Sequence, residues 1–117
     1  MNQQVNLDSN KNLIVQLTGD LTPEDVESTT ERMLDLLKTV NKVHVLMDVR
    51  DLKRVPPKAR EAMVKKPLPE SEKIAVVGAS AMVKVMGTLV LKVMPNVKAS
   101  RFFENEADAL IWLNEEE

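Results

Sequence analysis

The last third of the chain, residues 73–113, constrains the fold more strongly than any other part of the sequence. It predicts, in order, a buried strand at 74–77, an unusually apolar helix at 81–94, a short strand at 99–103 and an amphipathic helix at 106–113. The turn residues Gly78-Ala79-Ser80 separate the first strand from the first helix. A strand, a helix and a second strand in this order predict a parallel crossover unit, and therefore an α/β fold.

The start of the chain predicts a hairpin followed by a helix. Polarity alternates around Val5 and Leu7 and again over residues 13–18, with a cluster of turn residues between the two runs. A helix is expected from Thr22-Pro23 to Asn41, because threonine caps helix N-termini and proline suits the first helical position.

The middle of the chain supplies one more strand and one more helix. The apolar run at 43–47 predicts a central parallel strand covered on both faces, and the chain is expected to leave this strand at Asp48. A short helix is predicted at 57–65, before an extended loop set by the prolines within 67–69. We therefore predict one α/β domain, residues 1–117, with a mixed sheet of about five strands and about four helices.

Composition excludes several classes of function. The net charge is −2 and the only aromatic residues are two phenylalanines and one tryptophan, so we expect no nucleic-acid partner. The chain has no cysteine, a single histidine (His44) and no glycine-rich phosphate loop, so we expect no metal, no cofactor and no enzyme activity. The N-terminus lacks a signal-peptide pattern, and the helix at 81–94 would span roughly 21 Å of a bilayer core of about 30 Å. A cytoplasmic protein is expected.

Three segments resemble those of SpoIIAA-like proteins of the STAS/CRAL-TRIO type. They are VLMDVRDL at 45–52, KIAVVG at 73–78, and RFF at 101–103 followed by EADALIWL at 106–113. The third segment, a strand ending in phenylalanine before an alanine-rich helix ending in Trp-Leu, is the most specific. As an order of elements, the resemblance covers nearly the whole chain.

The resemblance implies a small non-enzymatic, regulatory domain. The best-known STAS proteins antagonise anti-sigma factors and are switched by phosphorylation of a serine after the third strand. The corresponding segment here, residues 52–59, contains no serine or threonine, which argues against such a switch. Proteins of the broader family are also linked to apolar ligands and to membrane surfaces, and the missing serine does not affect that link.

Two segments carry the functional prediction. Residues 50–66 contain seven basic and two acidic residues in a chain of net negative charge, and 53–66 is called the basic segment below. In the helix at 81–94, Met82, Met86, Leu89 and Val93 are expected to face the core, opposite a narrow stripe of Lys84, Thr88 and Lys92. Because apolar residues flank both stripes, part of this helix must be covered by another helix of the domain, an apolar ligand, a lipid surface or a partner chain.

We predict that the apolar helix and the basic segment together bind an apolar ligand or attach the protein peripherally to an anionic membrane. The alternative is a protein-interaction regulator, in which the same helix meets a partner protein or a second copy of the chain. The residues expected at this surface are Lys53, Arg54, Lys58, Val83, Lys84, Val85, Leu91 and Lys92.

A second candidate site lies where strands are expected to end. Asp48 follows the central strand, and Ser80 precedes the apolar helix, where free backbone N–H groups can hold an anion. Ser80 also suits the N-cap of that helix. We therefore predict Asp48 and Ser80 as an anion or ligand site, with helix capping as the alternative role of Ser80.

Overall fold

The computed structural model describes residues 3–65, 70–93 and 96–115, except for the side chain of Val93. The elements are β1 (Gln4–Leu7), β2 (Leu13–Asp20), α1 (Pro23–Leu37), β3 (His44–Arg54), α2 (Pro57–Lys65), β4 (Ser71–Val77), α3 (Ala81–Val93), β5 (Val97–Phe103) and α4 (Glu106–Asn114). The five strands form one sheet in the order β1-β2-β3-β4-β5. β1 is antiparallel to β2 and the other pairs are parallel, so the predicted α/β class and mixed sheet are confirmed. The predictions for Lys66, residues 67–69 and Met94 fall outside the described residues.

The sheet is covered unequally on its two faces. Helices α1, α2 and α3 pack on one face, over alternating strand residues such as Val15, Val45 and Ile74. Helix α4 packs on the other face, where Leu113 contacts a smaller core around Leu46. We call these the three-helix face and the α4 face.

Helix α1 begins as its sequence predicts. The Thr22 hydroxyl accepts a hydrogen bond from the backbone N–H of Asp25 at 3.0 Å, and the Asp25 carboxylate accepts one from the Thr22 N–H at 3.1 Å. This reciprocal capping box satisfies two of the free donors of the first turn. The helix ends at Leu37, four residues before the predicted Asn41.

Strand β3 is longer than predicted, because it continues past Asp48 to Arg54. Its pairing with β2 skips one residue between Asp48 and Asp51, which marks a β-bulge. The bulge lets both Val49 and Leu52 join the buried cluster of the three-helix face despite their odd and even positions. The apolar residues after Asp48 therefore extend the strand where the acidic residues predicted its end.

Helix α3 is rotated relative to its predicted orientation. Met82 and Leu89, expected in the core, are 63% and 53% exposed, whereas Val83 is buried. Gly87 faces β5, where a Cβ would lie 3.4 Å from the Phe102 ring. The predicted core stripe was wrong for Met82 and Leu89, whereas Met86 does pack against the core and the side chain of Val93 is not described. The helix is apolar on two sides, so periodicity could not indicate which side packs.

Candidate functional site

A cavity of about 130 Å³ lies between the three-helix face of the sheet and helices α1, α2 and α3. The sheet contributes residues from β2, β3 and β4, and each helix contributes at least one side chain. The lining residues include Thr29, Met33, Met47, Met63, Val83, Met86 and Val90. Leu91, predicted at the functional surface, also lines this cavity, so two predicted residues, Val83 and Leu91, lie in its wall.

The wall of the cavity is almost entirely apolar. Among the described residues its only polar side chains are Thr29 and Thr30 of α1, and both are buried. The Thr29 hydroxyl has no hydrogen-bond partner among the described residues. A buried hydroxyl without a partner lowers the free energy of unfolding. The residue at position 29 is therefore not the one that would make the fold most stable.

An open groove of about 620 Å³ lies beside the cavity, between α2 and α3. Arg60, Val64 and Lys65 line it from α2, and Leu89 and Val90 line it from α3. Val90 lines both the groove and the cavity, so the two spaces adjoin at this side chain.

The outer surface of α3 is also apolar. Met82 and Val85 are each 63% exposed, and Leu89 is 53% exposed. At 100° per residue these three side chains form one stripe, which runs beside exposed Lys84 and Lys92. A single exposed apolar residue is ordinary, but a stripe of three on one helix is typical of an interaction surface.

The basic residues predicted at the site lie on two elements. Lys53 and Arg54 are exposed at the end of β3, and Lys58 is exposed in the first turn of α2. The structure therefore places predicted residues in three positions: Val83 and Leu91 in the cavity, Lys84, Val85 and Lys92 on the outside of α3, and these three basic residues on β3 and α2.

Asp48 and Ser80 each have a role within the fold. The Asp48 carboxylate accepts hydrogen bonds from Arg50 Nε at 3.0 Å and Nη2 at 2.6 Å, and from the Arg50 backbone N–H at 3.1 Å. The side-chain hydrogen bond from Arg50 is the main reason why the pKa of Asp48 lies below its ordinary value, although burial opposes the shift. The Ser80 hydroxyl accepts from the Val83 N–H at 3.2 Å, as a helix cap does.

The side chain of Asp48 does not face the cavity. Asp48 alternates with the cavity-lining residues Met47 and Val49 along β3, so its side chain belongs to the α4 face. His44 lies four residues earlier, roughly 13 Å away along the strand, which is beyond hydrogen-bond reach of the carboxylate. The prediction that Asp48 and Ser80 bind an anion or ligand stays a prediction.

Three residues with distinctive environments were not singled out from the sequence. Thr29 and Arg60 each have a buried polar atom without a partner among the described residues. Lys73, although 5% exposed, donates to the backbone carbonyls of Trp112 at 2.8 Å and Glu115 at 3.1 Å, at the end of α4. Its position directly before the apolar run at 74–77 was a signal that this lysine would be buried and would need partners.

Two further properties bear on the class of site. Over residues 3–65, 70–93 and 96–115, no helix is both long and apolar enough to cross a bilayer. Over the same ranges, no group of three or more histidine, aspartate or glutamate side chains is placed to hold a metal ion.

The fold and the sequence together define the family. The SpoIIAA-like family model matches residues 13–114, and the chain therefore belongs to the SpoIIAA-like family. Its fold is similar to that of an uncharacterised protein of the DUF3478 family with a SpoIIAA-like fold from Shewanella loihica PV-4. That similarity has a TM-score of 0.71 and 22% sequence identity, and it covers 95% of this chain and 91% of the other. No curated protein matches the sequence.

Proposed function

We propose that this protein is a non-enzymatic binding domain that holds an apolar small molecule, or the apolar part of a larger one, in the cavity beneath α3. The observation that carries the proposal is the cavity itself, about 130 Å³ in volume with two threonines as its only polar side chains. An engineered protein cavity of about 150 Å³ with apolar walls stays free of water and binds benzene. The space is therefore matched to a small apolar group.

The chemistry of the wall favours binding over catalysis. None of the side chains that line the cavity is ionisable, and the two threonine hydroxyls are the only groups that could exchange hydrogen bonds with a ligand. General acid–base catalysis needs a titratable group within hydrogen-bond reach of the reacting atom. A ligand in this cavity would be bound chiefly by burial of apolar surface.

The binding test uses the methionines as internal probes. Met33, Met47, Met63 and Met86 line the cavity, whereas Met82 lies on the outside of α3. We expect benzene to shift the NMR signals of the four cavity methyl groups and to leave Met82 unchanged. Benzene that leaves the four cavity methyls unshifted, or shifts Met82 equally, would contradict the proposal.

A matched pair of variants checks where the probe binds. Val83 lies in the cavity wall and Val85 is 63% exposed two residues later on the same helix. We expect Val83→Phe to fill part of the cavity and to lower the affinity for benzene, measured from these shifts, at least tenfold. Val85→Phe should leave that affinity unchanged. Equal benzene affinity in the two variants would mean that the probe binds elsewhere.

A second candidate function rests on a different observation, the apolar stripe on the outside of α3. Met82, Val85 and Leu89 lie beside Lys84 and Lys92, a combination that favours peripheral attachment to an anionic membrane. Each basic residue near an anionic surface contributes about 1 kcal/mol to such attachment. The rival occupant of this stripe is a partner protein or a second copy of the chain.

Vesicle sedimentation and the mass in solution separate these occupants. Membrane attachment predicts binding to anionic vesicles that weakens with salt, with Leu89→Asp and with Lys92→Glu. A protein interface predicts instead a dimer that Leu89→Asp dissociates, with no vesicle binding. A monomer that ignores anionic vesicles at low salt would count against both.

A further inference from the structure

We infer that the ligand of the cavity is an amphipathic anion, and that Arg60 holds its charged end in the groove between α2 and α3. This inference rests on the proposed function and adds to it the chemical class of the ligand. It starts from Arg60, whose Nε–H is buried and has no hydrogen-bond acceptor among the described residues.

Arg60 is half-buried, and its buried Nε–H lacks an acceptor among the described residues. Arginine side chains in partly buried positions normally pair with a carboxylate or a backbone carbonyl, because an unpaired buried donor costs free energy. Arg50, by contrast, is 53% exposed and donates both Nε–H and Nη2–H to Asp48. An anion in the groove would supply the Nε–H of Arg60 with the acceptor that the described residues do not provide.

The position of Arg60 relates the groove to the cavity. Arg60 and Val90 both line the groove, and Val90 also lines the apolar cavity. The groove beside Arg60 and the apolar cavity therefore adjoin at Val90. A molecule with an anionic head and an apolar tail would match them, with its head in the groove and its tail in the cavity.

The charge of the groove agrees with an anionic head. Arg60 and Lys65 line it with one acidic residue, Glu61, so the charged residues of its lining are net positive. A guanidinium group binds carboxylate and phosphate oxygens in a bidentate geometry, which favours these anions over a neutral hydroxyl. The inferred class is therefore a free acyl chain that ends in a carboxylate or phosphate.

Titration calorimetry with octanoate and 1-octanol tests the inference, because the two probes share a tail length and differ in charge. We expect octanoate to bind the wild-type protein at least tenfold more tightly than 1-octanol. We expect Arg60→Gln to remove that preference without changing the affinity for 1-octanol. Lys58→Gln, which changes an exposed charge of the same helix outside the groove, should leave both affinities within about twofold.

The outcomes distinguish the inference from the proposed function. Failure of both probes to bind the wild-type protein would overturn both. Binding of 1-octanol as tight as that of octanoate, or unchanged octanoate affinity in Arg60→Gln, would overturn the inference and leave the cavity as a neutral apolar site. If Arg60→Gln instead releases the protein from anionic vesicles with octanoate affinity unchanged, the acceptor is a membrane headgroup and the free ligand is ruled out. Circular dichroism of Arg60→Gln checks that the variant is folded.

Discussion

Substituting alanine for Gly78 should destabilise the protein through two separate effects. Gly78 has a positive φ of 74°, in the left-handed region that disfavours a side chain, and its N–H donates to the Phe103 carbonyl at 2.9 Å. A Cβ at this position would clash with Cγ of Arg50. Alanine can be accommodated only if the Arg50 side chain moves, and that side chain is held by its hydrogen bonds to Asp48.

The expected loss of stability exceeds the cost of the backbone conformation alone. The left-handed backbone costs a residue with a side chain about 1–2 kcal/mol. Displacing the Arg50 side chain from its hydrogen bonds to Asp48 adds to that cost, and solvent screening limits the addition because the Arg50 side chain is 53% exposed. Gly19 isolates the backbone effect, because it also has a positive φ, 69°, but a Cβ there meets nothing within 4 Å. Gly19→Ala should therefore cost only about 1–2 kcal/mol.

Urea unfolding followed by circular dichroism measures these differences in a double-mutant cycle. In an Arg50→Ala background Cγ and Cδ of residue 50 are gone and only its Cβ, 3.2 Å away, stays close, so Gly78→Ala should cost only slightly more than Gly19→Ala. The two substitutions at positions 50 and 78 should therefore be non-additive by at least about 1 kcal/mol. An equal cost of Gly78→Ala in both backgrounds would refute the role assigned to Arg50, and a cost no larger than that of Gly19→Ala in the wild type would refute the close approach itself.

Three further predictions concern buried polar groups. Thr29→Val should raise the free energy of unfolding by about 1 kcal/mol, because it removes a hydroxyl without a partner; destabilisation in urea unfolding would contradict this. The pKa of Asp48 is lower in the folded chain than its ordinary value of 3.8. The pair with Arg50 therefore stabilises the fold fully at pH values above 3.8, and this stabilisation is lost as the pH falls through the lower pKa of the folded state. Asp48→Asn should therefore flatten the acid limb of a stability–pH profile, and an unchanged limb would count against the pair. Lys73→Met should cost about 1–3 kcal/mol and increase hydrogen exchange at the end of α4, where two carbonyls lose their donor; unchanged exchange would show that Lys73 does not hold this end.

Local sequence signals accounted for most of the fold. The threonine cap and proline at the start of α1 work through atoms a few residues apart, so the sequence contains all the information needed to predict them. The apolar runs that became β3 and β4 were recognisable because a strand covered on both faces has few polar residues. The resemblance to SpoIIAA-like proteins agreed with the family to which the chain belongs.

The candidate site was less predictable, because it depends on contacts between distant elements. The orientation of α3 depends on its packing against α2, β3 and β5, and not on the apolar pattern of the helix alone. Arg60 was one of several basic residues in its segment, and only tertiary packing distinguishes its buried Nε–H from the exposed side chain of Lys58. The bulge in β3 likewise requires the register of a neighbouring strand.

The unequal covering of the sheet has an optical consequence. Trp112 is the only tryptophan and the chain has no tyrosine, so its indole ring dominates the near-ultraviolet absorption and the intrinsic emission. That ring packs beside Phe103, with centroids 5.6 Å apart, on the α4 face, whereas the cavity lies on the three-helix face. The chromophore therefore reports whether α4 is docked, and a molecule that enters the cavity without disturbing the sheet leaves its emission unchanged. A screen for ligands by intrinsic fluorescence would overlook such a molecule.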